Sequence, residues 1–332
     1  KASSVLGRYR CKRVTWTAKD PNDMLKVGAG RVELLACIKN AKSLATDIKS
    51  LSAADAIQVF LSATEKGPRK RRSWGYTRLD SLTKGLGGGE FIGVLAEAGT
   101  GKTTFLINVV VNHVRQGLNC GIASLEEHVI NEITPKLYST LIRRNIGVTG
   151  ATREEAQALG DELRKIQLYK GEGHLEDVMD WIRECYYVHD VKMVAVDYLQ
   201  LLVTDETNVQ LIKEVCYRFK KLVKELPELC ILMVIQPKQR QRARNKDGSE
   251  SKALKMEGAD ARGGAAINQS VDKMLTIKGV DGRPNITQYE YTKVRGHLHV
   301  SKRDWLAQYT QLEYDHATLG MREMEHMIVG GA

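Results

Sequence analysis

An apolar run, Phe91–Ala96, leads straight into Glu97-Ala98-Gly99-Thr100-Gly101-Lys102-Thr103-Thr104, and a helical pattern follows. These residue types in this order suit the phosphates of a nucleoside triphosphate. Gly99 and Gly101 let the backbone turn its N–H groups inward, so that the stretch from Ala98 through Thr100 to Thr104 would cradle phosphate oxygens at a helix N-terminus. Lys102 would reach the β- and γ-phosphates, and Thr103 would hold Mg²⁺. The strict pattern opens on Gly where this chain has Ala96, a replacement that many strand–loop–helix ATPases accept.

Hydrolysis asks for acids at the same place. The run 193–196 ends in Asp197; at the carboxyl end of a parallel strand this carboxylate faces the crevice of the phosphate loop and can orient the water shell of Mg²⁺. A second run, 120–124, ends in Leu125-Glu126-Glu127. A carboxylate here could polarise the attacking water, with a pair of solvated acids opening a helix as the alternative. The run Cys230–Ile235 ends in Gln236, a neutral amide that could report the γ-phosphate to the segment behind it.

That segment carries Lys238, Arg240, Arg242, Arg244 and Lys246 within nine residues and holds no aromatic. Such a composition suits tracking of backbone phosphates rather than stacking on bases, and a solvated surface loop shares it. Farther on, Lys293 and Arg295 close a strand pattern. Because Lys102 already serves its own site, a distant arginine is more useful in trans, completing a neighbour's site. His297 and His299 alternate without a third ligand, which reads as a strand face rather than a metal site.

These groups can meet only if several strand ends share one edge of a sheet. The short apolar runs alternate with helical segments, as buried parallel strands do when crossover helices cover both faces. Strands at 274–277, 287–294 and 311–314 complete an α/β core from about residue 85 to 316. Upstream, Val32, Leu35, Ile38 and Leu44 are spaced for a helix over 31–44. A second helix starts after Ser52, a candidate N-cap, and runs through Ala56, Val59, Phe60 and Ala63 to Gly67-Pro68. Arg69-Lys70-Arg71-Arg72 follows as a basic hinge, read as a solvated linker with DNA contact as the alternative. Residues 9–14 alternate like an edge strand, and 19–23 carry turn chemistry.

In 332 residues there is room for one large domain and a smaller appendage, and no apolar run reaches membrane-spanning length. The first residue is Lys1 rather than Met, the mark of a processed or engineered boundary. Six cysteines are scattered with no paired spacing, which predicts reduced structural thiols and no zinc site. The net charge of +10 favours an anionic partner without naming it.

The ordered motifs resemble the DnaB-type replicative helicases. Residues 193–202, M-V-A-V-D-Y-L-Q-L-L, look like their Walker B segment, and Ser124-Leu125-Glu126 like their S-L-E strand end, which implies Glu126 as the catalytic glutamate. Residues 260–269, D-A-R-G-G-A-A-I-N-Q, are similar to a further family segment that brings in Arg262, with Asp272 in register. Lys293-Val294-Arg295 matches the K-x-R that carries the arginine finger, and Leu312-Glu313-Tyr314 the last strand, whose aromatic packs near the nucleotide base. Thr77-Arg78-Leu79-Asp80 through Gly89-Glu90 matches the usual entry to the core. Tyr186-Tyr187-Val188-His189-Asp190 and Ile235-Gln236-Pro237-Lys238 look more like the phage primase-helicases and mitochondrial Twinkle than bacterial DnaB, and residues 8–14 and 19–23 resemble the end of a TOPRIM primase fold.

The resemblance implies a RecA-like P-loop core with a mostly parallel central sheet over 73–316. Before it would stand a TOPRIM-like remnant at 1–30 and a helical linker with hinge at 31–72, and after it a tail at 317–332. It implies ATP or another nucleotide with Mg²⁺, and single-stranded or forked DNA held by Lys238, Arg240, Arg242, Arg244, Lys246 and Arg262. It also implies a homo-oligomeric ring of six subunits, primase and DNA polymerase as partners, and a phage-infected or bacterial cytoplasm in preference to the mitochondrial matrix. Lys102, Thr103, Glu126, Asp197 and Gln236 would act in cis and Arg295 in trans. A RecA-type recombinase or an ATP-gated scaffold or loader ring is the alternative on the same core.

Overall fold

The computed structural model describes residues 12–43, 52–65, 71–96, 99–205, 208–237, 264–280, 282–294 and 309–324. The chain divides into two units, residues 1–68 and 69–332.

In the first unit, β1 (Lys12–Arg13) pairs antiparallel with β2 (Lys42–Ser43). Between them lie α1 (Pro21–Lys26) and α2 (Arg31–Lys39); α3 (Ala53–Glu65) follows. The turn expected at 19–23 is instead a helix start. Asp20 caps α1 by accepting from the Asp23 N–H at 2.8 Å, and Pro21 sits at the first helical position, where its missing N–H costs nothing. The helix expected over 31–44 ends at Lys39, because Lys42 and Ser43 are taken into β2; Leu44 lies outside the described residues. The stripe Val32, Leu35 and Ile38 on α2 and the pair Ile57 and Leu61 on α3 are exposed.

The second unit opens with an anchored hinge. Arg72 exchanges two backbone hydrogen bonds of 2.8 Å with Leu86, and its guanidinium donates to the Lys192 carbonyl. Arg71 donates to the Lys84 and Gly85 carbonyls and pairs with Glu90 at 2.7 Å. These two cations of the basic run are therefore spent on the core's own entry; Arg69 and Lys70 lie outside the described residues. Next come α4 (Thr77–Thr83), β3 (Phe91–Ala96), α5 (Lys102–Arg115), β4 (Asn119–Ser124), α6 (Thr134–Ile142) and β5 (Ile166–Leu168). They are followed by α7 (Leu175–Val188), β6 (Val191–Asp197), α8 (Val209–Glu225), β7 (Cys230–Ile235), α9 (Gly264–Ser270), β8 (Lys273–Val280), β9 (Arg283–Val294), β10 (Tyr309–Asp315) and β11 (Gly320–Glu323).

The strands form one sheet in the order β11-β10-β9-β8-β3-β7-β6-β4-β5. From β8 to β5 neighbours are parallel, while β9, β10 and β11 are added antiparallel. Every residue of β3 and β7 is buried, and successive side chains enter two cores on opposite faces. Ile92, Val94, Leu232 and Val234 pack with Phe105, Val109 and Leu137 of α5 and α6 on one face. Phe91, Leu95, Ile231 and Met233 pack with Ile182, Ile212 and Phe219 of α7 and α8 on the other. This double covering is why the strands read as continuous apolar runs. Mid-strand, Gly93 leaves room that a Cβ would take: it would meet Ile235 and Met274 side chains at 2.8 Å.

Two strands of this sheet were not foreseen. β5 is three residues long, and β11 lies inside the segment expected as a tail, so the sheet runs past residue 316. Burial pushes the Cys120, Cys185, Cys216 and Cys230 thiols up to about 12, as for inert core thiols. Among the described residues no helix is long and apolar enough to cross a membrane.

Candidate active site

The parallel ladder places the site before any side chain is considered. Ser124 at the end of β4 is the register partner of Asp197 at the end of β6, and the Leu125 N–H donates to the Asp197 carbonyl at 2.7 Å. β3, whose last residue is Ala96, lies one strand beyond β7 in the same parallel set. The phosphate loop therefore leaves the sheet at the edge where Asp197 and Glu126 emerge. Gly99 and Gly101 stand at φ +76° and +79°, the left-handed region that their types permit, and Gly101 is the N-cap of α5. Glu97 and Ala98 lie outside the described residues.

Five side chains converge there. The Thr103 hydroxyl donates to Asp197 Oδ2 at 2.6 Å. Lys102 Nζ lies 2.8 Å from Glu126 Oε2 and 3.9 Å from Asp197 Oδ1, and 4.6 Å from the centre of the Tyr198 ring. Asp197 is buried, and its Oδ1 has no hydrogen-bond partner among the described residues. Burial pushes its carboxyl up from the ordinary range, against the lowering by Thr103 and Lys102, while Glu126 and Glu127 raise it further. A buried carboxylate oxygen with nothing to accept from, beside a hydroxyl at the head of a phosphate loop, is an oxygen donor set that fits Mg²⁺ with its waters.

The two adjacent glutamates part company. Glu126 reaches Lys102 and is half exposed toward the loop, whereas Glu127 is held by Lys136 at 2.6 Å and by backbone bonds to Ser124 Oγ. At the end of β7, Gln236 is half-buried, and its backbone is gripped by the Gln200 side chain. Thr104 contributes its carbonyl to the Asn108 amide at 2.9 Å. Tyr314 on β10 is half-buried, edge-on to the His316 ring, and opposite Met321 in register. Met321 in turn lies 3.5 Å from where a Cβ of Gly101 would stand, so the β10–β11 hairpin flanks the phosphate loop. Lys293 stands on β9 opposite Met274.

A family model, the DnaB-like helicase C terminal domain, matches residues 73–304. The chain belongs to that family. A probable plasmid replicative DNA helicase of Chlamydia psittaci is 27% identical over 173 residues, which take in 47% of this chain and 37% of that protein. The chain thus spans well under half the length of the curated relative it matches. One solved structure, of a single ATPase domain, superposes with a TM-score of 0.64 at 18% identity over 83% of this chain and all of that domain. A structure described as a DnaB-like replicative helicase and its interactions with primase gives 0.60 at 18% identity over 92% of this chain and 72% of that one. These likenesses establish the fold as the RecA-like ATPase core of the DnaB-like family.

Several residues singled out from the sequence of this family member lie outside the described residues: Ala98, Lys238, Arg240, Arg242, Arg244, Lys246, Arg262 and Arg295, with His297 and His299. Others were missed. The ring of Tyr198 under Lys102 and the Gln200 grip on Gln236 both sit inside D-Y-L-Q, a motif legible in the sequence without either role. Asn108 holds the hairpin from a distance no sequence signal reveals: it accepts from the Met321 N–H at 3.0 Å and donates to the Leu319 carbonyl at 3.1 Å.

Proposed function

We propose that the chain is the motor of an ATP-dependent replicative DNA helicase, which hydrolyses nucleotide as a ring, translocates on single-stranded DNA and unwinds the fork. The observation that carries the reading is an intact hydrolytic constellation, Lys102–Thr103–Glu126–Asp197, in a member of the DnaB-like family. An ATP-gated scaffold or loader ring would also bind nucleotide through Lys102, Thr103 and Asp197, and the Glu126 carboxylate beside them is what argues for a hydrolysing motor. The family match speaks against a recombinase.

When bound, Mg²⁺ would supply charge neutralisation for the phosphates, held by Thr103 Oγ1 and, through water, by Asp197. The backbone from Ala98 to Thr104 takes the phosphates. Lys102 must then leave Glu126 for the phosphate oxygens, and this exchange frees the glutamate to take the proton of the attacking water. The 2.8 Å Lys102–Glu126 pair thus keeps the base occupied until nucleotide arrives. Tyr314 with Lys293 borders the base site, Arg295 completes a neighbour's site, and Gln236 relays γ-phosphate loss. Lys238, Arg240, Arg242, Arg244, Lys246 and Arg262 track the DNA backbone in the channel of a six-membered ring.

The segment before the core serves as linker behind a TOPRIM-like remnant, with α3 docking on the next subunit. Kinship with phage primase-helicases and Twinkle, partnership with primase and polymerase, and a phage-infected or bacterial cytoplasm complete the proposal. The decisive experiment is ATP hydrolysis and strand separation on a forked duplex, for the parent and for Glu126→Gln. The reading predicts DNA-stimulated hydrolysis and unwinding in the parent and loss of both in the variant. Hydrolysis indifferent to DNA, with no fork opened, sinks it in favour of the scaffold ring.

A further inference from the structure

Three residues beyond Asp197, within the short 3₁₀ turn Leu199–Leu202, the chain buries Gln200. Its carboxamide meets both polar groups of one residue's backbone. Gln200 Nε2 donates to the Gln236 carbonyl at 3.1 Å, and Gln200 Oε1 accepts from the Gln236 N–H at 3.2 Å. Turning the amide over would set oxygen against oxygen and N–H against N–H, so the pairing itself decides the amide's orientation. The side chain imitates a neighbouring strand at the point where β7 loses one: the parallel ladder between β6 and β7 ends at Val196 and Met233, and that between β3 and β7 at Leu95 and Ile235.

The turn is tied to the nucleotide site at its other end. Asp197 accepts from Thr103, and Lys102 lies over the Tyr198 ring. From Lys102 to Gln236 the path is therefore Tyr198, two buried residues of one tight turn, and a two-point amide clasp. Gln236 is followed at once by Pro237 and the cations beginning at Lys238. A displacement of Tyr198 when Lys102 shifts partner is delivered to the residue that leads into that cationic segment.

We propose that Gln200 is a positioning residue that couples the state of the nucleotide site to the backbone of Gln236, and so to DNA. Its carboxamide bonds to the Gln236 backbone and not to Lys102, Thr103, Glu126 or Asp197, so its loss should spare basal hydrolysis and remove the dependence of hydrolysis on DNA. The proposal rests on the helicase reading above.

The test measures ATP hydrolysis of the full chain with and without single-stranded DNA for the parent, Gln200→Leu and Gln200→Glu. Gln200→Leu should keep DNA-free hydrolysis within about twofold and lose about fivefold or more of the DNA stimulation, the lower end of ordinary coupling between sites. Gln200→Glu adds a reading that simple packing does not give. As a carboxylate it keeps an acceptor for the Gln236 N–H but faces the carbonyl with a second acceptor; once protonated it donates again. Its DNA stimulation should therefore recover as pH falls through a carboxyl pKa raised by burial above the usual value of about 4.3, while the leucine variant stays uncoupled. Stimulation unchanged in both variants overturns the proposal. So does a parallel loss of basal hydrolysis and thermal stability with no recovery on acidification, which marks Gln200 as packing alone. A parent whose hydrolysis ignores DNA removes the helicase reading itself, and the coupling with it.

Discussion

At the scale of the residue, the site is arranged around one expensive group. Asp197 is held in a buried place, and among the described residues Thr103 hydrogen-bonds one of its oxygens while the other has no hydrogen-bond partner. Its carboxyl is pushed up, so the native state disfavours the charged form. That penalty is absent below the ordinary carboxylate range and is felt in full once the pH exceeds the raised native value. Asp197→Asn keeps an acceptor for Thr103 and removes the charge. It should raise the Tm of the nucleotide-free chain at pH 8 and abolish the extra stabilisation that ATP gives only with Mg²⁺, both read by thermal melts. A lower Tm without nucleotide would contradict this account. Glu126→Gln should lower the rate of hydrolysis by a factor of about 10² to 10⁴, the usual worth of a positioned general base, while nucleotide still binds. A nucleotide titration beside the rate measurement separates the two.

At the scale of the element, α5 carries the phosphate loop and must hold its register against the sheet. Its buried face includes Phe105, which stacks with Trp74 and Tyr76, and His113. The His113 Nδ1–H donates to the Val109 carbonyl at 2.9 Å, and Nε2 has no partner among the described residues, so the ring is built to be neutral. Burial pushes its pKa down from 6.5 to about 4. The unfolded chain therefore binds a proton first. Stability is full above pH 6.5 and falls as the pH drops toward 4, by roughly 3 kcal/mol in all. His113→Leu should flatten that slope in urea titrations at pH 7 and pH 4.5; an unchanged slope would mean that other groups carry it. The β10–β11 hairpin is fastened to the same helix by Asn108, and to α4 by Glu323, which accepts from the Arg78 N–H at 2.9 Å. Asn108→Ala leaves the Met321 N–H and the Leu319 carbonyl without their partner. It should cost about 1–3 kcal/mol in urea unfolding and raise the KM for ATP, because the hairpin flanks Gly101.

At the scale of the molecule, two of the proposed roles require a partner copy and a polyanion. If Arg295 works in trans, mixing Glu126→Gln subunits with Arg295→Ala subunits should restore hydrolysis that neither has alone. Random assembly gives about a quarter of junctions an intact site from one subunit and an intact arginine from the next. Mixtures as inactive as their components would place Arg295 elsewhere. The +10 net charge becomes specific only if the cations after Gln236 meet DNA. Replacing Arg240, Arg242 and Arg244 together by alanine should reduce the salt slope of single-strand binding by about 2, at roughly 0.7 for each phosphate no longer neutralised. An unchanged slope would return that segment to a solvated loop.

What was legible in the sequence is what short-range chemistry writes. The glycines of the phosphate loop, the apolar runs of β3 and β7 and the carboxylate ending β6 each state their structure within a few neighbours, because backbone conformation and strand burial are local constraints. Even there the count of residues mattered. A three-residue edge strand such as β5 is too short to show a period, and Asp20-Pro21 serves a helix N-terminus as well as a turn. The residue types alone left two adjacent glutamates open and the family resemblance implied Glu126; the tertiary structure sets Glu126 on Lys102 and Glu127 on Lys136. It alone turned residues 320–323 from a tail into a strand beside the phosphate loop and spent Arg71 and Arg72 on the core. It also gave Gln200 a partner 36 residues away. Such pairings join segments distant in the chain, and their free energy lies in contacts that no single segment contains.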